Sequence, residues 1–307
     1  MKPEVAYISF IIISYNRPAD TIAAIKNVLE LEDVSGYQKE IVVINNGSTD
    51  TYQPLCNFLD SLSVAEREMV IYHHHSENLG VAKGRNLGIS MAKGNLLIFM
   101  DDDAGFTKTN IIPIALRLLE QYETSHHVKI IAFREFRTAT QDYYIATKNK
   151  KLAQQSEFLT NYYIGSGHLI KREVFDTVGN YTTEFFYGME EYDLAYKALD
   201  AGFRILYTDS ITVWHKKSPE GREGEVTLTR WNLENKTVVA YKYLPWVYVL
   251  THLVFWSGYF LWKSGFRFLT LLTAFRNLFS KIRRTPRRPI SEKTLQYIHS
   301  VKGRLWY

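Results

Sequence analysis

Cysteine is nearly absent. Cys56 is the single one in 307 residues, which excludes an internal disulfide framework and fits a reducing compartment. Residues 1–7 carry charges and no apolar stretch, so no secretory leader is expected there, and cytoplasmic residence follows. Acidic residues are missing from 235 to 291, a stretch that holds Lys236, Lys242, Lys263, Arg267, Arg276, Lys281, Arg283, Arg284, Arg287 and Arg288. One-sided charge of that kind calls for an acidic partner, membrane lipid or nucleic acid, although the whole chain carries only +5. Glycine is missing from 14–18, the turn after the first apolar run, which argues against the glycine-rich phosphate loop of a nucleotidyltransferase.

What is present is ordinary for a globular protein: 46% hydrophobic and 22% charged residues set disorder aside for most of the chain. At 307 residues the chain is near the size at which one core stops growing, so one main domain with an appendage is expected. Apolar runs at 8–13, 41–44, 69–72 and 96–100 predict buried strands, and 129–133 another strand. Between them, Ile22, Ile25 and Leu29 follow Pro18 with helical spacing, as do Tyr52, Leu55, Leu59 and Leu62, and later Ile111, Ile114, Leu118 and Leu119. Strand, polar loop and helix in alternation predict an α/β fold whose loops share one sheet edge. Further strands are expected at 168–170, 203–207 and 211–214, with helices at 172–178 and 190–202; residues 138–155 are polar without a clear period.

The chemistry gathers at the ends of these elements. Asp101, Asp102 and Asp103 close the run at 96–100, and alternation along an extended chain points Asp101 and Asp103 to one side and Asp102 to the other. Such hard oxygens suit Mg²⁺ or Mn²⁺ on a phosphate, with a solvated acidic turn as the alternative. Glu190, Glu191 and Asp193 fall in a helix's first turn, where the helix dipole favours each acid by roughly 0.3 to 1 kcal/mol. Aromatic residues at 185–187 and Gly188 just before them also suggest a pocket wall, where a carboxylate acts as general base. Arg85 and Asn86 lie on a short helix with Gly88 and can face a ligand or simply solvent. His215 at a strand end is structural or a ligand. His73, His74 and His75 alternate along a strand and cannot close round one metal.

Taken in order, these pieces resemble the family 2 glycosyltransferases of the GT-A fold, a large group that builds bacterial polysaccharides and lipopolysaccharides. The resemblance runs from 8 to 215 and rests on Ser14-Tyr15-Asn16-Arg17, on Asn45 through Asp50, and on Asn78-Leu79-Gly80 with Arg85, Asn86 and Gly88. It rests also on Asp101-Asp102-Asp103, on Glu190-Glu191-Tyr192-Asp193 and on Trp214-His215. The fold it implies is a Rossmann-like mixed sheet flanked by helices. Ser14, Tyr15, Arg17, Asn45, Asn78, Gly80, Arg85, Asn86, Asp101 and Asp102 would then bind the nucleotide sugar, with Asn45 at the base. Asp103, Asp101 and His215 would hold Mn²⁺ or Mg²⁺, and Glu191, or else Glu190, would deprotonate the acceptor. Asn45 stands where the family usually has Asp; an amide carbonyl can still accept the N3–H of uracil or thymine, so a UDP or dTDP donor is expected. One base and no evident nucleophile predict direct displacement with inversion; a retaining route needs a second carboxylate at the anomeric carbon.

The appendage follows residue 235. Residues 244–262 contain no Lys, Arg, Asp or Glu, yet Pro245, Thr251, His252, Ser257 and Gly258 and the scattered aromatics suit an interface better than a hydrocarbon centre. Residues 266–279 predict an amphipathic basic helix, and 281–288 a polybasic cluster. The expected division is a catalytic domain at 1–235 and, at 236–307, helices that attach peripherally to the inner face of an anionic membrane. A packed helical subdomain and a true span are the alternatives. The expected partners are a nucleotide-diphosphate sugar donor and a saccharide or lipid-linked acceptor; a nucleic-acid-binding protein would leave the Asp and Glu groups without a purpose.

Overall fold

In the computed structural model, which describes residues 6–220 and 223–306, the apolar runs form one sheet covered on both faces. Residues 1–5, part of the charged stretch at 1–7, lie outside the described residues. The strands are β1 (Ala6–Ser14), β2 (Tyr37–Asn46), β3 (Val70–His75), β4 (Leu96–Asp101), β5 (Ala104–Phe106), β6 (Val128–Arg137), β7 (Asp142–Tyr144), β8 (Glu157–Thr160), β9 (Gly167–Lys171) and β10 (Arg204–His215). The helices are α1 (Pro18–Leu29), α2 (Gln53–Ser61), α3 (Val64–Met69), α4 (Gly80–Met91), α5 (Ile111–His126), α6 (Arg172–Val178), α7 (Glu190–Asp200), α8 (Glu225–Tyr243), α9 (Trp246–Lys263), α10 (Phe268–Arg284) and α11 (Glu292–Ser300).

The sheet order is β3-β2-β1-β4-β9-β6-β10-β5. Neighbours among β3, β2, β1 and β4 are parallel, so the loops leaving them share one edge. β9 lies between β4 and β6 and runs against both, which makes the sheet mixed. Alternation sorts the strand residues onto two cores. Phe10, Ile12, Ile41, Val43 and Ile98 pack with α1, α2 and α5. Ile11, Val42, Ile44, Leu97 and Phe99 pack with α4, α6, α7 and α8. Burial on both faces is the reason these strands are written as unbroken apolar runs.

Three local outcomes differ from the sequence reading. The strand expected at 69–72 starts at Val70 and continues through the histidines to His75, and Met69 instead ends α3. That helix has no apolar stripe; its signal is a capping box, Ser63 with Glu66. The two strands expected at 203–207 and 211–214 are one, β10, whose register against β6 breaks between Thr208 and Thr212. Position 235 lies inside α8, and Tyr248, Leu278 and Ile298 of the later helices join the core shared with α7. Among the described residues, no helix is long and apolar enough to cross a membrane. α9 and α10 nevertheless leave Trp246, Val254, Trp262 and Leu269 exposed, at 59%, 68%, 64% and 81%.

Candidate active site

The loops at the shared edge are knotted together by side-chain amides. Gly47 has φ +70, and a Cβ there would lie 2.2 Å from the carbonyl carbon of Glu77, so glycine alone lets the two loops touch. Asn46 donates to Asn78 Oδ1 at 3.1 Å and accepts from the Leu79 N–H at 3.0 Å. Asn16, in the left-handed region at φ 56, accepts from the Thr49 and Asp50 amides at 2.8 and 3.2 Å. The cavity beyond these loops is lined by Tyr15, Arg17, Asn46, Asn78, Gly80, Arg85, Asp101 and Asp102, and closed by Phe186, Tyr187 and Trp231.

Other residues named from the sequence turn into the protein. The Ser14 hydroxyl is buried against Thr21 Oγ1 at 2.5 Å and the Tyr52 hydroxyl at 2.6 Å. Asn45 donates to the Tyr72 hydroxyl at 3.0 Å and accepts from the Ser48 N–H at 3.1 Å, while its strand neighbour Asn46 faces the cavity. Asn86 closes a two-way bond with the Tyr181 backbone at 2.8 and 3.0 Å. These three hold the loops and helix that shape the cavity.

The aspartates separate as strand alternation requires. Asp102 accepts from the Tyr15 N–H at 3.1 Å and from Arg17 Nη1 at 2.7 Å. Burial pushes its carboxyl up to about 7, against the pull of Arg17. Asp103 accepts from the Ser218 N–H at 2.7 Å and lies 3.2 Å from His215 Nε2, which is also 3.6 Å from Asp101. Asp101, Asp103 and His215 each offer one ligand atom, all within 4.8 Å of one another. Behind the ring, Glu135 lies 3.1 Å from Nδ1 and is itself held by Ser166 at 2.5 Å and Arg137 at 2.8 Å. Burial disfavours a charged ring, but the bonds to Asp103 and Glu135 win and raise His215 to about 9. Two carboxylates and an imidazole backed by a carboxylate fit a divalent cation such as Mn²⁺, which can take the place of the imidazolium proton.

Arg85 connects this group to the glutamates. It is buried on α4, 3.8 Å from Asp101, 2.8 Å from Glu191 and 3.4 Å from Glu190, and it donates to the Gly165 carbonyl at 3.1 Å. A Cβ on Gly165 would meet the side-chain ends of Glu191 at 2.4 Å and Arg85 at 2.8 Å, so any larger residue there would displace this ion pair. Burial, with Glu191 adjacent, pushes the Glu190 carboxyl up. Asp193 faces away into the core, held by Lys242 at 2.6 Å, Tyr243 at 2.9 Å and Thr182 at 2.5 Å.

The sequence profile described as glycosyl transferase family 2 matches residues 9–179. The chain belongs to glycosyltransferase family 2. It is similar to an uncharacterized protein of Haemophilus influenzae, 30% identical over 172 residues that cover 54% of this chain and 88% of that one. An uncharacterized glycosyltransferase of Rickettsia conorii is 36% identical over 125 residues, covering 39% of this glycosyltransferase and 19% of the relative, so the chain spans under a fifth of that protein. Among solved structures, GalNAc-T7 with UDP, GalNAc and Mn²⁺ superposes with a TM-score of 0.62 at 17% identity, over 81% of this chain and 50% of that one. The mannosyltransferase PcManGT of Pyrobaculum calidifontis, with GDP-Man and Mn²⁺, gives 0.58 at 13% identity, over 95% and 78%. At these identities the structural likeness shows the fold, and the fold is GT-A.

Several residues of this glycosyltransferase site escape sequence reasoning. Glu135 and Ser166 sit behind His215, and Trp231 on α8 closes the cavity. Glu135 carried a usable signal, a lone acid near the end of a strand at the ligand edge. Trp231 carried none, since α8 has no apolar stripe that marks a face.

Proposed function

We propose that this glycosyltransferase moves a sugar, with inversion, from a UDP or dTDP donor to a saccharide or lipid-linked acceptor in cell-envelope polysaccharide synthesis. The observation that carries the reading is the meeting of Asp101, Asp103 and His215 with Glu190 and Glu191 across a single buried Arg85. Asp101, Asp103 and His215 would hold Mn²⁺ or Mg²⁺, which when bound offsets the charge of a diphosphate leaving group. Tyr15 and Arg17, with Asn78 and Gly80, supply the wall against which the nucleotide lies. Glu191, whose side chain is 14% exposed against 2% for Glu190, is the more accessible of the two carboxylates, which supports it as the base that takes the acceptor proton. Arg85 holds that carboxylate in position, and Gly165 leaves room for it. With no second carboxylate assigned to the anomeric carbon, single displacement is the economical route.

Residues 1–235 carry this chemistry, and 236–307 attach the enzyme peripherally to the cytoplasmic face of an anionic membrane. Support comes from the exposed aromatic faces of α9 and α10 together with the acid-free basic stretch from 235 to 291. Thermal stabilisation by a panel of nucleoside diphosphates and nucleotide sugars, with and without Mn²⁺, tests the donor reading. A metal-dependent shift confined to uridine or thymidine compounds is expected. Absence of any nucleotide shift would leave a binding protein on a glycosyltransferase fold.

A further inference from the structure

The turn that delivers Glu190 and Glu191 is held in a conformation that its own sequence resists. Gly188 and Met189 both have positive φ, +78 and +80, immediately before α7. Glycine enters the left-handed region freely, but a methionine there crowds its Cβ against the backbone, so the surroundings must hold it. On one side the turn rests on α4. The Val81 N–H donates to the Phe186 carbonyl at 2.9 Å, and a Cβ on Gly80 would lie 2.4 Å from that oxygen.

On the other side a single amide from α8 closes it. Asn235 is 2% exposed, and its Nδ2 donates to the Tyr187 and Gly188 carbonyls at 2.9 and 3.2 Å. Its Oδ1 accepts from Lys281 Nζ of α10 at 2.9 Å. That lysine also pairs with buried Glu234 at 2.8 Å, and Asn277 donates to the same carboxylate at 3.2 Å. An ammonium offers only donors, so Lys281 fixes which end of the amide faces it and turns the nitrogen toward the two carbonyls. Reversed, the amide would set oxygen against oxygen.

We propose that Asn235, with Lys281 behind it, is a positioning residue for the transfer step, holding the left-handed turn at 188–189 that aims Glu191. The assignment rests on Glu191 as the base and adds to it a support drawn from α8 and α10. Without the two bonds the turn is free to rotate, and Glu191 shifts relative to Arg85, while Tyr15, Arg17 and Asn78 on other loops keep the nucleotide wall. The C-terminal helices therefore serve the reaction as well as any attachment.

The test uses the full chain as wild type, Asn235→Asp, Lys281→Met and Lys281→Arg, with Glu191→Gln marking loss of the base. Asn235→Asp keeps the shape and the Lys281 contact and removes the N–H donors. Hydrogen exchange needs no substrate: the Val81 and Asp193 amides, which donate to Phe186 and Met189 carbonyls, should exchange about tenfold faster in Asn235→Asp, with β1 amides unchanged. Release of UDP from UDP-glucose, UDP-galactose and UDP-N-acetylglucosamine with Mn²⁺, water being the acceptor, gives the rates. In Asn235→Asp kcat should fall by about 10²-fold at constant KM for the nucleotide sugar. Lys281→Met should lose about tenfold, Lys281→Arg should restore the rate, and UDP with Mn²⁺ should shift every variant's melting equally. A purely structural amide would lower the denaturation midpoint and leave kcat alone. Wild-type exchange at both amides in Asn235→Asp, or wild-type kcat there while Glu191→Gln has lost turnover, would overturn the assignment. Unchanged turnover in Glu191→Gln would sink the base reading itself, and this assignment with it, so the variant that keeps its rate tells the two failures apart.

Discussion

The chain carries two tight acidic groups, and they resolve their internal repulsion differently. In the first, strand alternation turns Asp102 onto Arg17 and leaves Asp101 and Asp103 facing His215. In the second, helical spacing sends Glu190 and Glu191 to Arg85 and Asp193 to Lys242 on α8. Each group thus donates one acid to architecture. The difference is in the remaining countercharge. Arg85 and Lys242 are permanent cations built into the fold; Arg85 and Arg17 also come within 3.8 and 3.7 Å of Asp101 and Asp103, but His215, which faces both of these aspartates, can exchange its proton for a metal. Fixed charge suits a carboxylate that must stay in position; replaceable charge suits a site that loads and unloads an ion.

Asp103→Asn attacks the replaceable side most directly. It should remove the Mn²⁺-dependent part of nucleotide stabilisation, and an unchanged Mn²⁺ titration in the presence of UDP would sink the metal assignment. Glu191→Gln attacks the fixed side. Transfer should fall by about 10²- to 10⁴-fold while the donor-induced thermal shift is kept; if Glu190→Gln has this effect instead, the base is the neighbour. Asp193→Asn should leave donor recognition intact and cost about 3 to 5 kcal/mol in urea unfolding, because Lys242 is then buried without its countercharge. Glu135→Gln, behind His215, should weaken Mn²⁺ affinity by about 10- to 100-fold without changing the denaturation midpoint comparably. The smallest effect concerns His168, buried between Phe99 and Tyr163 on β9. Burial, with Arg85 nearby, holds its pKa well below the ordinary value. The unfolded chain therefore binds the extra proton, and this contribution to stability is lost as pH falls below about 6.5, at no more than about 1.4 kcal/mol per pH unit. His168→Phe should flatten that part of the pH–stability curve.

Much of this comparison was open to sequence reasoning. The parallel strands are buried on both faces, so each is a continuous apolar run, and the polar residue that ends the run marks the ligand edge. That logic reaches Asp101 to Asp103, and the family resemblance orders the loops. It falters by one residue at Asn45 and Asn46, because which of two adjacent amides faces the cavity depends on where β2 stops being extended. The Asp193 pair with Lys242 joins segments nearly fifty residues apart, and no spacing rule connects them. Likewise α3 is written in a cap and not in a stripe, and the break in β10 shows only once β6 supplies a register.

The reversed central strand β9 has a consequence for how the molecule assembles. The turn entering β9 delivers Gly165 and Ser166 to the rim that β1, β4 and β6 reach on their way out. No contiguous half of the chain can therefore make the site by itself. A nascent or truncated chain that has closed only β1 to β4 presents the aspartates without Glu135, Gly165 or His215. Loop closure across the middle of the sheet comes first, and such long-range pairing is the slow part of forming a topology of this kind. The proposed metal-dependent nucleotide binding would thus double as a folding reporter: it would read the completed topology and stay silent for any species in which the N-terminal strands alone have formed.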